Sequence, residues 1–110
     1  MRRTVRIVEF TVERGTLVRR VTRANGRQYV QRASRAVLED VCHAIERCGD
    51  DGATTNGLWD ALPQRPCTQI SVALDFLKER GCIVTRCRRN FPASNFLVED
   101  VLVEFYALEG

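Results

Sequence analysis

The chain has 110 residues, 45% of them hydrophobic and 28% charged. That length suits one domain with a buried core, and the apolar share excludes wholesale disorder. No apolar run approaches the roughly 20 residues of a membrane span. The opening MRRTVRIVEF alternates apolar and polar residues and lacks the continuous apolar stretch of a signal peptide, so cytoplasmic residence is the expectation.

The net charge of +3 is unevenly placed. Residues 1–35 hold ten Arg against two Glu, and residues 36–63 hold one Arg against six acids. Residues 64–90 carry five Arg and one Lys against two acids, and residues 91–110 carry four acids and no cation. Separate basic and acidic regions follow, and basic regions attract phosphate backbones. An arginine-rich composition with solvated sheet faces accounts for the same numbers, since Arg outnumbers Lys sixteen to one.

Residues 4–12 (TVRIVEFTV) are rich in β-branched side chains and read as a strand. Glu13-Arg14-Gly15 is a turn signal, and residues 16–22 (TLVRRVT) read as a second strand. Asn25-Gly26 tolerates positive φ at both positions, a hairpin signal, and residues 27–32 complete a three-stranded meander over 1–33. A lone meander is marginally stable, so it needs helices or another chain to pack on.

A first helix is expected over 34–48. Ser34 is its cap, and Val37, Val41, Ala44, Ile45 and Cys48 share one face. Gly49-Asp50-Asp51-Gly52 ends it. A short helix follows over 56–62, capped by Thr54 or Thr55, and Pro63 and Pro66 punctuate the link to a third helix over 68–80. There Ile70, Ala73, Leu74 and Leu77 recur at helical spacing, Thr68 is the expected N-cap, and Gly81 suits the left-handed residue that ends a helix. A strand at 82–88 and a loop at 89–97 come next. The last segment, 98–108, fits either period: Leu97, Val101, Leu102, Phe105 and Leu108 match a helix, whereas the β-branched Val98, Val101 and Val103 favour the strand that is expected here.

The order short helix, tight link, longer helix, Gly, strand, basic loop, strand resembles a winged helix-turn-helix. Thr68, Ile70, Ser71, Leu74, Leu77, Gly81, Ile83 and Val84 occupy the places of the recognition helix and first wing strand in MarR- and ArsR-like regulators. The resemblance covers about residue 35 to the chain end. It implies an α+β winged-helix domain, with the meander as an N-terminal addition, in a single domain over 1–110. It also implies binding of double-stranded DNA by a transcriptional regulator, of a type that is often a homodimer on two half-sites.

On that reading the third helix enters the major groove. Gln69 can hold adenine by a bidentate bond, Ser71 can reach a base or phosphate, and Val72 can touch a thymine methyl. Thr68 lies at the helix start beside them. Arg65 is placed for a phosphate near that helix N-terminus, and Arg86, Arg88 and Arg89 for phosphates or the minor groove at the wing. The face departs from the habit of such regulators, because Val72 and Asp75 stand where Arg or Lys is common. Val72, Asp75, Phe76 and Glu79 therefore support an alternative, a winged-helix module that docks a protein partner through this helix. A third reading takes the arginines of the meander, with Tyr29, as an RNA-binding sheet.

Nothing assembles for catalysis. The single His has no adjacent nucleophile, no Gly-rich loop cradles a phosphate, and Asp50-Asp51 lacks the further oxygen ligands of a calcium site. Five cysteines without C-x-x-C spacing argue against a disulfide framework or structural zinc. Cys42, Cys48 and Cys82 read as buried small hydrophobes. No cofactor and no metal are expected.

Overall fold

The structure is a computed structural model that describes residues 6–109. Arg2, Arg3 and the first two residues of the expected first strand lie outside the described residues. Three strands, β1 (Ile7–Glu13), β2 (Thr16–Thr22) and β3 (Gln28–Ser34), form an antiparallel sheet in the order β1-β2-β3. Arg14 and Gly15, at φ 52 and 75, make the two-residue β1–β2 turn. Positive φ at both places matches the twist of the flanking strands. At the β2–β3 turn Gly26 has φ 86, and its N–H donates to the Arg23 carbonyl at 2.9 Å.

Strand alternation sends every second side chain to one face. The register stacks Val12, Leu17 and Ala33 in one row, Phe10, Arg19 and Gln31 in the next, and Val8, Val21 and Tyr29 in a third. This face is inward. Leu17, Val21 and Ala33 are fully buried, and Arg19 is buried with them.

The helices are α1 (Arg35–Cys48), α2 (Thr55–Ala61), α3 (Cys67–Glu79) and α4 (Leu97–Glu109), with a short 3-10 turn at Gly49–Asp51 after α1. Ser34 caps α1, its Oγ accepting from Val37 N–H at 3.1 Å, and Thr54 caps α2 through Gly57 N–H at 3.0 Å. Helix α3 starts one residue earlier than expected. Pro66 occupies its N-cap without a side-chain bond, so Thr68 is a first-turn residue and not the cap. Its end follows the expected geometry. Gly81, at φ 72, lets its own N–H reach the Lys78 carbonyl and Cys82 N–H reach that of Leu77, which satisfies carbonyls left free by the last turn.

Two expectations for the C-terminal third are corrected. The expected strand over 82–88 and loop over 89–97 are instead a hairpin, β4 (Ile83–Arg86) and β5 (Arg89–Pro92), closed by Cys87 and Arg88 alone. The expected strand over 98–108 is helix α4. Leu97, Val101 and Phe105 are buried along one stripe with Leu108 packed beside it, so burial of the 3.6-residue period outweighs the weak strand preference of the valines. Ser94 makes a turn just before the helix, accepting from Phe96 N–H at 3.0 Å and donating to Asp100 at 2.6 Å.

The hairpin is fastened to the helices by one buried side chain. Asn90 donates to the Ala53 carbonyl from its backbone (2.8 Å) and its side chain (2.9 Å), and its carbonyl accepts from Ala53 N–H at 2.9 Å. Thr85 Oγ1 donates to Asn90 Oδ1 at 2.7 Å, so the buried amide is satisfied. Gly52 precedes this bridge at φ 72, and a Cβ there would lie 2.7 Å from the Phe91 ring. Gly52→Ala combines backbone strain with a clash and should cost about 1–3 kcal/mol, read as a lowered urea midpoint with unchanged slope. An unchanged midpoint would mean the hairpin is not seated on this turn.

No helix is long and apolar enough to cross a membrane among the described residues.

Candidate nucleic-acid interface

Helix α3 is covered on two sides. Ile70, Ala73, Leu74 and Leu77 face the core against α1 and α2, as the sequence spacing requires. The opposite flank, expected to meet DNA, lies under the chain's own sheet. Val72 and Phe76 are fully buried, and the Phe76 ring meets Phe10 of β1 edge-on with centroids 5.4 Å apart. Asp75 pairs with Arg19 of β2, which also donates to Gln31 of β3. Gln69 Oε1 accepts from Ser34 N–H at 3.0 Å.

The expected site therefore divides. Val72 has no exposed surface to offer a thymine methyl, and Phe76 none to offer a protein partner; both expectations are corrected by the packing of the sheet. Gln69 is spent on the end of β3 and does not present a free amide for adenine. Arg65 is half-buried and bound through Nε to Asp40 of α1 at 2.8 Å, so it is committed to the fold. Thr68 is exposed and Ser71 partly so. They form a narrow open edge on α3, a helix whose one basic residue is Lys78.

The hairpin leaves three arginines exposed. Arg86, Arg88 and Arg89 are exposed, and among the described residues none forms an ion pair with a carboxylate. The Arg86 guanidinium lies over the Phe91 ring at 5.1 Å, and Arg89 Nη1 donates to the Asp51 carbonyl at 3.1 Å. Cys87 and Arg88 adopt positive φ, 51 and 65. A two-residue turn demands this conformation, which Asn-Gly would adopt at little cost, so the tip carries strain of the order of 1 kcal/mol per residue. Acids stand nearby. Arg86 shares a shallow cavity of ≈ 480 Å³ with Glu46 and Asp50. Arg88, at the tip, is not among the residues that line this cavity with the two acids.

The single end of the sheet away from α1 is also basic. Arg23 N–H donates to the Arg27 carbonyl at 2.8 Å, which continues the β2–β3 register past Thr22 and Gln28. The β1–β2 register carried one pair further sets Arg6 against Arg23. Alternation gives these arginines the same face as Val8, Val21 and Tyr29, one row beyond them.

Two of the five thiols are shielded by the core. All five cysteines are free; Cys42 and Cys82 are buried, Cys48 is half-buried, and Cys67 and Cys87 are exposed. Burial pushes the Cys42 thiol up to about 12, with Cys82 and Glu46 adding to the effect. Burial likewise raises Cys82. Both stay protonated at neutral pH, and the thiolate is the nucleophile and metal ligand. No group of three or more His, Cys, Asp or Glu is placed to hold a metal ion among the described residues.

No family model, curated protein or solved structure matches the chain.

The sequence missed the covered flank of α3. The signal lay in the inward row Phe10, Arg19 and Gln31, since a sheet with a marginal core of its own requires a partner, and α3 offers Val72 and Phe76.

Proposed function

We propose that the chain is a winged helix-turn-helix module with a three-stranded N-terminal addition, and that it binds duplex DNA by its backbone through the β4–β5 wing. The order α1, the Ala53–Asn90 bridge, α2, α3 and a hairpin supports the fold assignment. The observation that carries the function is the wing tip. Arg88 sits in a strained, exposed two-residue turn, and Arg86 and Arg89 flank it on a hairpin anchored by the buried Asn90. A rigid hairpin holds guanidiniums at fixed spacing, which suits phosphate contacts. Base reading by α3 is not part of this proposal, because Val72 is buried and Gln69 is engaged. Binding of this kind tolerates many sequences and fits an accessory role in transcription.

Fluorescence anisotropy with random duplex across a salt series tests it. Three neutralised phosphates give a slope of log K on log salt of about −2.7. The pair Arg86→Ala with Arg88→Ala should reduce that slope by about 2 and weaken binding to all sequences alike. Binding and slope unchanged in the pair would remove the wing from the interface.

A second reading, a protein-docking module, is favoured by α4. Phe96, Val103 and Tyr106 are 65%, 66% and 45% exposed, and they lie along one outward strip with Glu99 and Asp100 on its flanks. The helix carries four acids and no cation, so the complementary partner is a basic apolar surface, and two copies of this helix would repel one another. Failure of the protein to bind DNA at low salt, with a normal fold, would favour this reading over the first.

A further inference from the structure

We propose that the Arg6, Arg23 and Arg27 row, with Tyr29 behind it, is a second binding site on this protein, for the phosphate backbone of single-stranded nucleic acid. The inference uses none of the wing residues.

The geometry is that of a ladder. Successive inward rows of the sheet run Val-Leu-Ala, Phe-Arg-Gln, Val-Val-Tyr, and then three arginines. At its Arg6 end the last row borders a shallow cavity shared with Asp75, Lys78 and Glu79 of α3. All three arginines are exposed, and none is ion-paired among the described residues. Like charges directly opposite across strands are destabilising, by up to about 1 kcal/mol for each pair. The fold solves this problem for Arg19, which it gives Asp75 and Gln31. It gives the terminal row no ion pair among the described residues; Asp75 and Glu79, with Lys78, border a cavity at its Arg6 end only. An anion lying along the row would remove the repulsion.

The shape favours a polymer over a compact anion. Strands are about 4.8 Å apart, so three of them present a charged front about 10 Å long. The front is open on one side and has only a shallow recess of ≈ 240 Å³ between Arg6, Arg23, Ala24 and Tyr29. The Tyr29 ring lies beneath the Arg23 guanidinium at 5.1 Å. It holds that plane in position by a cation–π contact. Arginine planes and aromatic rings are the surfaces on which unpaired bases stack, and a basic track beside them is the usual means of gripping a single strand. A duplex keeps its bases stacked internally and cannot use the Tyr29–Arg23 stack.

The test compares a labelled 20-nucleotide oligo-dT with a duplex of equal length by anisotropy, using the full chain across a salt series. The wild-type protein should prefer the single strand, with a salt slope of about −2 for three phosphates. The pair Arg6→Gln with Arg23→Gln should reduce the slope to about −0.7 and weaken single-strand binding about tenfold. Because the pair relieves repulsion, its urea midpoint should stay the same or rise, which separates lost binding from lost fold. Arg47→Gln, an exposed arginine on α1, should leave slope and affinity unchanged. An unchanged slope in the Arg6/Arg23 pair, absence of single-strand binding at low salt, or a duplex bound as tightly through the same two arginines would each overturn the assignment. Loss of duplex binding in the wing pair alone would leave it standing.

Discussion

Replacing Phe76 by alanine should destabilise the protein by about 3–5 kcal/mol, the usual cost of truncating a fully buried phenylalanine. An exposed recognition-face residue would lose less than about 0.5 kcal/mol. The two outcomes differ by several kcal/mol, so one urea titration separates them. The effect should also be shared between two elements. Phe76 meets Phe10 edge-on, and the cavity left behind would open where the sheet lies on α3. Hydrogen exchange should accelerate in β1 and β3 together with α3. Fast exchange confined to α3, with the sheet still protected, would mean that the sheet is held by something other than this flank.

The second large effect is an asymmetry at Arg19 and Asp75. Arg19 is buried with a side chain 10% exposed, whereas Asp75 retains 38% of its side-chain surface. Removing the carboxylate strands a cation in the sheet–helix seam with Gln31 as its remaining partner and Nε already unpaired. Asp75→Ala should therefore cost about 2–3 kcal/mol, below the full penalty of a wholly buried pair because Asp75 is partly solvated. Arg19→Met removes the charge and keeps the apolar stem. It leaves a carboxylate that water can reach, at a cost of about 1 kcal/mol. Equal losses, or a larger loss in Arg19→Met, would contradict the burial order read from the structure. The pair also explains why an acid sits on the flank of α3. Asp75 would be repelled by DNA phosphates, but it serves the sheet.

Local signals were legible in the sequence wherever one residue decides the backbone. Ser34 and Thr54 cap the helices expected of them, Gly81 ends α3 in the left-handed conformation, and the second strand spans 16–22 as read. Periodicity also located the core stripes of α1 and α3. What was not legible depends on contacts between distant segments. Helix α3 has apolar residues on two flanks, Leu74 and Leu77 on one and Val72 and Phe76 on the other. Periodicity alone cannot say whether the second flank meets a partner, a groove or the chain's own strands. Segment 98–108 satisfies both periods, and its assignment turns on whether Leu97, Val101 and Phe105 find a cover. They do, on α1 and β1. The β4–β5 hairpin was missed for a local reason, since Cys87-Arg88 carries none of the Gly or Asn chemistry that marks a two-residue turn.

The expected interface changes accordingly. Of the eight residues marked for DNA, Arg86, Arg88 and Arg89 remain exposed on the β4–β5 hairpin, and Thr68 and Ser71 remain on a thin edge of α3. Arg65, Gln69 and Val72 are used by the fold. A helix buried on both flanks cannot enter a groove without first losing its sheet, and Phe76 together with the Arg19–Asp75 pair opposes that loss.

The most direct test of this account sets the two surviving surfaces against each other. Duplex affinity should be measured for Thr68→Ala with Ser71→Ala and for Arg86→Ala with Arg88→Ala, side by side at low salt. Binding should stay near wild type in the α3 pair and fall strongly, on all sequences alike, in the hairpin pair. A loss in the α3 pair that matches or exceeds that of the hairpin pair would contradict this, and would mean that the sheet swings away to let α3 read DNA.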